Sequence, residues 1–271
     1  MPELPEVETT KRGIEPYISK KKINSIYVSK HNLRIKFNKN KKDNILNTKI
    51  EGVRRRAKYI LIDFSNNYSL LIHLGMTGNL RIADTLSLGK HDHIAFSLNS
   101  KKYLIYNDVR RFGLVLIIKR GQRNRLLENN GPDPFEKSAD YKYLHEKIKK
   151  SKATIKSILL NNRIISGIGN IYACEILFSS NISPLKVGSS ITNDECKIIL
   201  KNSKKILKKA INSGGTTLND YLNADAKPGY FKIQLNVYDR ESKDCKKCSQ
   251  KIKRIIQNGR STFFCSKCQL K

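Results

Sequence analysis

Four cysteines crowd into the last 27 residues, as Cys245-x-x-Cys248 and Cys265-x-x-Cys268 with sixteen residues between the pairs. Each pair can bend around one ion in a tight knuckle. Two knuckles complete a tetrahedron with no open position, which is the spacing of a four-thiolate zinc ribbon. One structural zinc ion held by Cys245, Cys248, Cys265 and Cys268 is therefore expected, in a hairpin over residues 236–271. The other two cysteines, Cys174 and Cys196, lie on apolar helical patterns and read as core residues.

Upstream of the ribbon the apolar period changes twice. The segment from Pro2 through Val7 to Ile14 reads as a helix with acidic residues in its first turn, where the helix dipole favours them. Short alternating or apolar runs follow at Ile23–Val28, Leu33–Phe37, Tyr59–Phe64, Ser69–His73, Asn79–Ile82, His93–Leu98, Tyr103–Asn107 and Leu114–Ile118. Strands at hairpin spacing predict a β-sandwich or flattened barrel. Gly131-Pro-Asp-Pro134 breaks the pattern, and helical spacing takes over at Tyr141–Lys150, Ile155–Leu160, Asn170–Ser179 and Asp194–Asn212, the last with a Thr192-x-x-Glu195 capping box. Residues 213–234 are a Gly-, Thr- and Asn-rich loop too long for a passive connector. The expected fold is α+β: a β-sandwich domain over 1–133, a helical domain over 134–235 and the zinc hairpin over 236–271.

Lys and Arg number 53 against 23 Asp and Glu, a net charge of +30. Such a field attracts a polyanion, and nucleic acid is the first candidate because neutralised phosphates release condensed counterions. No apolar stretch approaches the roughly 18 residues of a membrane span, and Glu3, Glu6 and Glu8 stand where a signal peptide would be basic and then apolar. A cytoplasmic, nucleoid-associated monomer with no membrane partner is expected.

The N-terminus carries the most specific chemistry. Removal of Met1 would leave Pro2 as a secondary amine, whose pKa lies well below that of lysine, so a neutral fraction is present at working pH. A secondary amine that attacks an electrophilic carbon gives an iminium that is cationic without further protonation. Glu3 and Glu6 lie within one helical turn of that amine as acid and base candidates. An ordinary helix start would also place Pro and Glu here, so the pattern in isolation is not diagnostic.

Met1-Pro-Glu-Leu-Pro-Glu-Val-Glu-Thr9 resembles the N-terminal signature of formamidopyrimidine-DNA glycosylases. The resemblance continues in order through Lys58 in Arg-Ala-Lys-Tyr59, His73-Leu-Gly-Met-Thr-Gly78, Asn107-Asp-Val-Arg-Arg-Phe-Gly113, Gly167-Ile-Gly-Asn-Ile-Tyr172, Gly214-Gly-Thr-Thr217, Lys227-Pro-Gly-Tyr-Phe231 and Gly259-Arg-Ser-Thr-Phe-Phe-Cys265. It implies a bifunctional repair enzyme that removes oxidised purines, chiefly 8-oxoguanine and formamidopyrimidines, from double-stranded DNA and then cleaves the strand by β,δ-elimination. Extrusion of the nucleotide is required because the chemistry cannot reach a base inside a duplex.

On this resemblance Pro2, Glu3, Glu6 and Lys58 are catalytic. His91, Arg110, Lys156, Asn170 and Arg260 bind DNA, with Gly167-Ile-Gly-Asn170 opening the helix of a helix-two-turn-helix element. Met76, Arg110 and Phe112 fill the void left by the extruded base: Met is adaptable, Phe can wedge between base steps, and the Arg fork matches two adjacent acceptors on cytosine. Read without the family, Met76 and Phe112 would be core residues. The loop over 214–231 resembles a lesion-capping loop, with Thr216 or Thr217 near the base and Asn219 where a basic residue is common. Two rivals stay open. One is an endonuclease VIII-like enzyme for oxidised pyrimidines, disfavoured by Leu4 and the Lys227–Phe231 segment; the other is a non-catalytic zinc-ribbon DNA-binding protein, disfavoured by the joint presence of Pro2, Glu3 and Glu6.

Overall fold

The computed structural model describes residues 2–216 and 234–270, so Thr217, Asn219 and Lys227–Phe231 lie outside the described residues. The chain divides into two compact units, one of residues 1–124 with 211–232, the other of residues 125–210 with 233–271.

The first unit opens with helix α1 (Leu4–Ile18), which has Pro5 in its first turn, where a missing N–H costs nothing. Leu4, Val7, Ile14 and Ile18 are fully buried along one stripe. The helix runs four residues past Ile14 although Pro16 removes a backbone donor. Ile18 has a buried position to fill, and the Ser19 N–H still reaches the Glu15 carbonyl at 3.0 Å.

Eight strands follow: β1 (Ile23–Val28), β2 (Ile50–Arg56), β3 (Tyr59–Phe64), β4 (Tyr68–His73), β5 (Asn79–Ala83), β6 (Asp92–Leu98), β7 (Tyr103–Asn107) and β8 (Leu114–Lys119). They pair antiparallel into two four-stranded sheets, ordered β1-β6-β7-β5 and β2-β3-β4-β8. Ile23, Phe96, Leu104 and Tyr106 of the first sheet share one core with Ile60, Ile62, Phe64, Leu70, Ile72 and Val115 of the second, closed by Val7, Ile14 and Ile18 of α1. This is the expected helix-plus-sandwich architecture. Truncating one such residue, Ile62→Ala for example, costs about 2–5 kcal/mol through lost burial and a cavity.

Two strands differ from the sequence expectation. Leu33–Phe37 bends at Arg34 and Ile35 and belongs to neither sheet. Its apolar residues do not share a face: Leu33 and Phe37 are buried but Ile35 between them is exposed, and the segment anchors a loop that leads into a 3-10 turn at Lys39–Asn44. Strand β2 escaped notice because a β-bulge hides its period: Ile50 pairs with Phe64 but Gly52 pairs with Asp63. The inserted residue puts Ile50 and Val53, three apart, both in the core, and three arginines mask the remainder.

In the second unit, α2 (Arg125–Glu128), α3 (Tyr141–Ile148), α4 (Ile155–Leu159), α5 (Asn170–Ser179) and most of α6 (Asn193–Asn212) precede a hairpin of β9 (Lys253–Gln257) and β10 (Arg260–Phe264). The capping box of α6 forms as expected: Thr192 N–H donates to Glu195 Oε2 at 2.9 Å, and Glu195 N–H to Thr192 Oγ1 at 3.2 Å. In α5 every residue from Ile171 to Phe178 is buried, so this short helix has no solvent face. Cys174 and Cys196 are core residues, as their patterns predict. Burial pushes the Cys196 thiol up to about 11. Among the described residues no helix is long and apolar enough to cross a membrane.

Candidate active site

Pro2 is buried at the entrance to α1, and the two carboxylates beside it are only 2% exposed. Burying a carboxylate is costly unless donors surround it. Glu6 meets that condition: its Oε2 accepts the Glu3 N–H at 2.9 Å, as in a capping box, and its Oε1 accepts the Thr216 N–H at 2.8 Å. Gly215, at φ +84°, lies so close that a Cβ there would sit 3.2 Å from Glu6 Oε1. Gly214-Gly-Thr216 therefore seats its backbone directly on Glu6, a contact that the sequence did not assign. Both Glu6 acceptor atoms are held by backbone amides, one three residues away and the other 210 residues away in the chain, which fixes the carboxylate beside Pro2 and Glu3.

Lys58 follows a tight turn between β2 and β3 in which Ala57 adopts φ +53°, and the lysine is 7% exposed. Arg55 ties this turn to α1. Its Nε donates to Glu8 at 3.0 Å while its Nη1 donates to the Ala57 carbonyl at 2.9 Å. Lys58 and Arg34 both bear on His73, whose pKa falls from 6.5 to about 3, chiefly through burial and then through these two cations. The ring is neutral at working pH. Gly75 N–H donates to His73 Nδ1 at 2.9 Å, so the proton resides on Nε2, which is left as a donor. Arg34, Tyr59 and His73 were not among the predicted site residues. The Leu33–Phe37 alternation carried no sign that Arg34 would be charged company for Lys58.

Met76, Arg110 and Phe112 come from two separate turns, after β4 and after β7, and all three are exposed, Met76 by 37% and Phe112 by 47%. Large apolar side chains held out at turns are not core residues, so the family-independent expectation fails for both. The Arg110 guanidinium lies 4.8 Å from the Phe112 ring centroid. His91 stands close by, its carbonyl accepting the Asp108 N–H at 3.0 Å, and with His31, Lys90, His93, Val109 and Arg111 it lines a cavity of about 170 Å³. The basic side chains beside the exposed wedge suit a phosphate backbone.

In the second unit Gly167 takes φ +92° and Gly169 caps α5, leaving Asn170 as its first residue. Asn170 Nδ2 donates to the Ser261 carbonyl at 2.9 Å, while its buried Oδ1 has no hydrogen-bond partner. Lys156, expected as a DNA contact, makes its observed contacts within the protein. It is completely buried, with Nζ 3.0 Å from the Ser261 carbonyl and 2.6 Å from Thr262 Oγ1. Lysine and asparagine thus clasp strand β10 from α4 and α5, and the turn that they support presents Arg260 to solvent. Glu175, also unpredicted, is a buried carboxylate that collects the backbone N–H groups of Asn236, Val237 and Tyr238 at 2.8–3.0 Å.

The four cysteine Sγ atoms lie within 4.8 Å of one another. Neighbouring pairs stand 3.9 Å (Cys245 and Cys268), 3.5 Å (Cys248 and Cys265) and 3.3 Å (Cys248 and Cys268) apart. A tetrahedral zinc with bonds of about 2.3 Å places its sulfurs about 3.8 Å apart, so the donor set fits that ion. Backbone N–H groups of Lys247 and Cys268 point at Cys245 and Cys265 Sγ, as suits thiolate charge.

Comparison with known proteins accounts for nearly the whole chain. Residues 1–115 match the formamidopyrimidine-DNA glycosylase N-terminal domain, 130–221 the formamidopyrimidine-DNA glycosylase H2TH domain, and 242–270 the zinc finger found in FPG and IleRS. The formamidopyrimidine-DNA glycosylase of Rickettsia felis is 44% identical over 271 residues, covering 99% of this chain and 98% of that one. The crystal structure of the MutM (Fpg) protein from Thermus thermophilus superposes with a TM-score of 0.89 at 32% identity, covering 99% of this chain and 98% of that one. A Lactococcus lactis Fpg mutant in complex with a Fapy-dG containing DNA gives a TM-score of 0.91 at 34% identity, covering both chains completely. Together with the buried N-terminal carboxylates and the four-cysteine cluster, these matches place the chain in the formamidopyrimidine-DNA glycosylase family, bifunctional DNA glycosylases and AP lyases of base-excision repair.

Proposed function

We propose that the protein removes oxidised purines, 8-oxoguanine and formamidopyrimidines, from duplex DNA as a monomer and then cleaves the strand through a Schiff base on Pro2. The observation that carries this reading is the pair of nearly buried carboxylates, Glu3 and Glu6, at the N-terminus of α1 beside Pro2. The Lactococcus lactis relative's complex with Fapy-dG DNA supports the substrate class.

In this reading the damaged nucleotide is extruded, and Met76 and Phe112 occupy the gap while Arg110 meets the orphaned base. The Pro2 nitrogen, freed from Met1, attacks C1′; the bond to the base breaks and the base leaves with a proton. Glu3 delivers a proton to the sugar ring oxygen as the ring opens, giving an iminium between C1′ and Pro2. The iminium draws electrons from the C2′–H bond, so loss of that proton expels the 3′ phosphate. A second proton loss at C4′ expels the 5′ phosphate, and water releases the enzyme. Glu6, each of whose oxygens accepts a backbone N–H, orients the Glu3 backbone and the Gly215–Thr216 turn. Lys58 adds positive charge next to His73, where phosphate would lie. Arg260, Asn170 and His91 grip the backbone. A zinc ion bound by Cys245, Cys248, Cys265 and Cys268 supplies folding energy to the hairpin that presents Arg260.

The test is a strand-cleavage assay on duplexes carrying 8-oxoguanine opposite cytosine and, separately, thymine glycol. Faster cleavage at 8-oxoguanine is expected. A clear preference for thymine glycol would instead favour an oxidised-pyrimidine enzyme, and no cleavage of either would favour a DNA-binding protein without activity.

A further inference from the structure

The two turns that bear Met76, Arg110 and Phe112 are joined beneath the surface. Asp108 is fully buried, and its carboxylate collects donors from both turns: Thr77 Oγ1 at 2.6 Å, Gly113 N–H at 2.8 Å and the Tyr106 hydroxyl at 3.4 Å. Thr77 continues the link, since its Oγ1 accepts the Arg110 N–H at 3.0 Å. Tyr106 is held in its neutral, donating form by burial and by the nearby Asp108 charge, and it also reaches the His73 carbonyl at 3.1 Å. Backbone packing reinforces the join. Gly75, at φ +62°, approaches so closely that a Cβ would fall 2.4 Å from the Gly113 nitrogen, and a Cβ on Gly113 would fall 1.7 Å from the Tyr106 hydroxyl. The Asp108 carbonyl is meanwhile 2.9 Å from His93 Nε2, whose Nδ1 contacts Ser29 Oγ at 3.1 Å.

We infer that Asp108 and Thr77 are positioning residues for opposite-base selection: they hold Met76, Arg110 and Phe112 as one preassembled probe, so that discrimination depends on a carboxylate and a hydroxyl that never touch DNA. A side chain that must satisfy two acceptors on cytosine needs its backbone fixed before the duplex opens, because a loose probe spends binding energy on ordering itself. Thr77 supplies this for Arg110 through a hydroxyl that donates to Asp108 and accepts from Arg110. The inference rests on the reading of Arg110 as the residue that meets the orphaned base.

A double-mutant cycle separates the two. Single-turnover excision of 8-oxoguanine opposite cytosine and opposite adenine is measured for wild type, Thr77→Val, Thr77→Ser, Arg110→Ala and the Thr77→Val/Arg110→Ala pair. Borohydride trapping on a preformed abasic site in single-stranded DNA and the melting midpoint are followed in parallel. Since a bidentate base contact commonly gives about five- to a hundredfold discrimination, Thr77→Val is expected to compress the cytosine-over-adenine ratio by about fivefold or more. Thr77→Ser should restore the ratio, trapping should stay within about twofold of wild type, and Thr77→Val should add nothing to Arg110→Ala. An unchanged ratio in Thr77→Val with a collapsed ratio in Arg110→Ala overturns the positioning role alone. An unchanged ratio in Arg110→Ala overturns the reading of Arg110, and the inference with it. Equal loss of trapping and excision in Thr77→Val, without rescue by serine, would reduce Thr77 to a structural residue.

Discussion

The corner around Pro2 and the wedge around Arg110 place a buried carboxylate at the centre of each, and use it oppositely. Glu6 and Glu3 are themselves next to Pro2, the proposed nucleophile, and backbone amides hold Glu6 in place. Asp108 is equally buried and equally well supplied with donors, but what it serves is exposed: Met76, Arg110 and Phe112 stand in solvent above it. On the proposed function, chemistry falls to buried carboxyl groups, whereas recognition falls to exposed side chains that a buried carboxylate holds still. Substitutions in the two regions should therefore separate rate from selectivity.

The largest effect expected from that contrast is at Glu3. Glu3→Gln keeps the volume and removes the proton donor, so excision should fall by about 10²- to 10⁴-fold, opposite cytosine and opposite adenine alike. A change in the cytosine-over-adenine ratio would break the separation. An intermediate effect belongs to the hairpin. Cys265→Ser removes one of four ligands, and the hairpin should lose its metal and its order, releasing Arg260 from phosphate. DNA binding should weaken uniformly across sequences and the slope of log affinity against log salt should shrink by about one, while the sandwich unit still melts cooperatively. A fully active, metal-free Cys265→Ser protein would contradict a structural zinc.

The smallest effect is on stability, and it concerns His73. Its folded pKa of about 3 lies below the ordinary 6.5, so the unfolded chain takes up a proton over a range in which the folded chain refuses it. Stability contributed by the neutral ring is complete above pH 6.5 and declines as pH falls below that value, with a slope of at most about 1.4 kcal/mol per pH unit. His93, lowered by burial as well, adds in the same direction. Urea titrations between pH 6.5 and 5 should show a shallower decline in His73→Asn, which keeps an acceptor for the Gly75 N–H. An identical slope in the variant would mean that the ring is protonated in the folded protein.

What the sequence disclosed and what it withheld follow the same division. The four-cysteine cluster was legible because its ligands come in two locally spaced pairs, the grouping of Pro2, Glu3 and Glu6 because they share one helical turn, and the sandwich because most strands show their period. Asp108 and Thr77 were not, since an aspartate and a threonine in turns are ordinary and their pairing spans 31 positions. Lys156 was singled out as a DNA contact by the resemblance; its burial against Ser261 and Thr262, 105 and 106 positions away, had no local signal. Strand β2 was concealed by its bulge, which breaks the alternation that a reader of sequence relies on.

The claim on which the rest depends is that Pro2 is the nucleophile. Borohydride reduction of the protein mixed with 8-oxoguanine duplex, or with an abasic site, followed by peptide mapping, addresses it directly. A stable protein–DNA adduct is expected on the N-terminal peptide with the added mass on Pro2, and no adduct from protein that retains Met1, whose Pro2 nitrogen is an amide. An adduct on Lys58 with none on Pro2 would contradict that expectation.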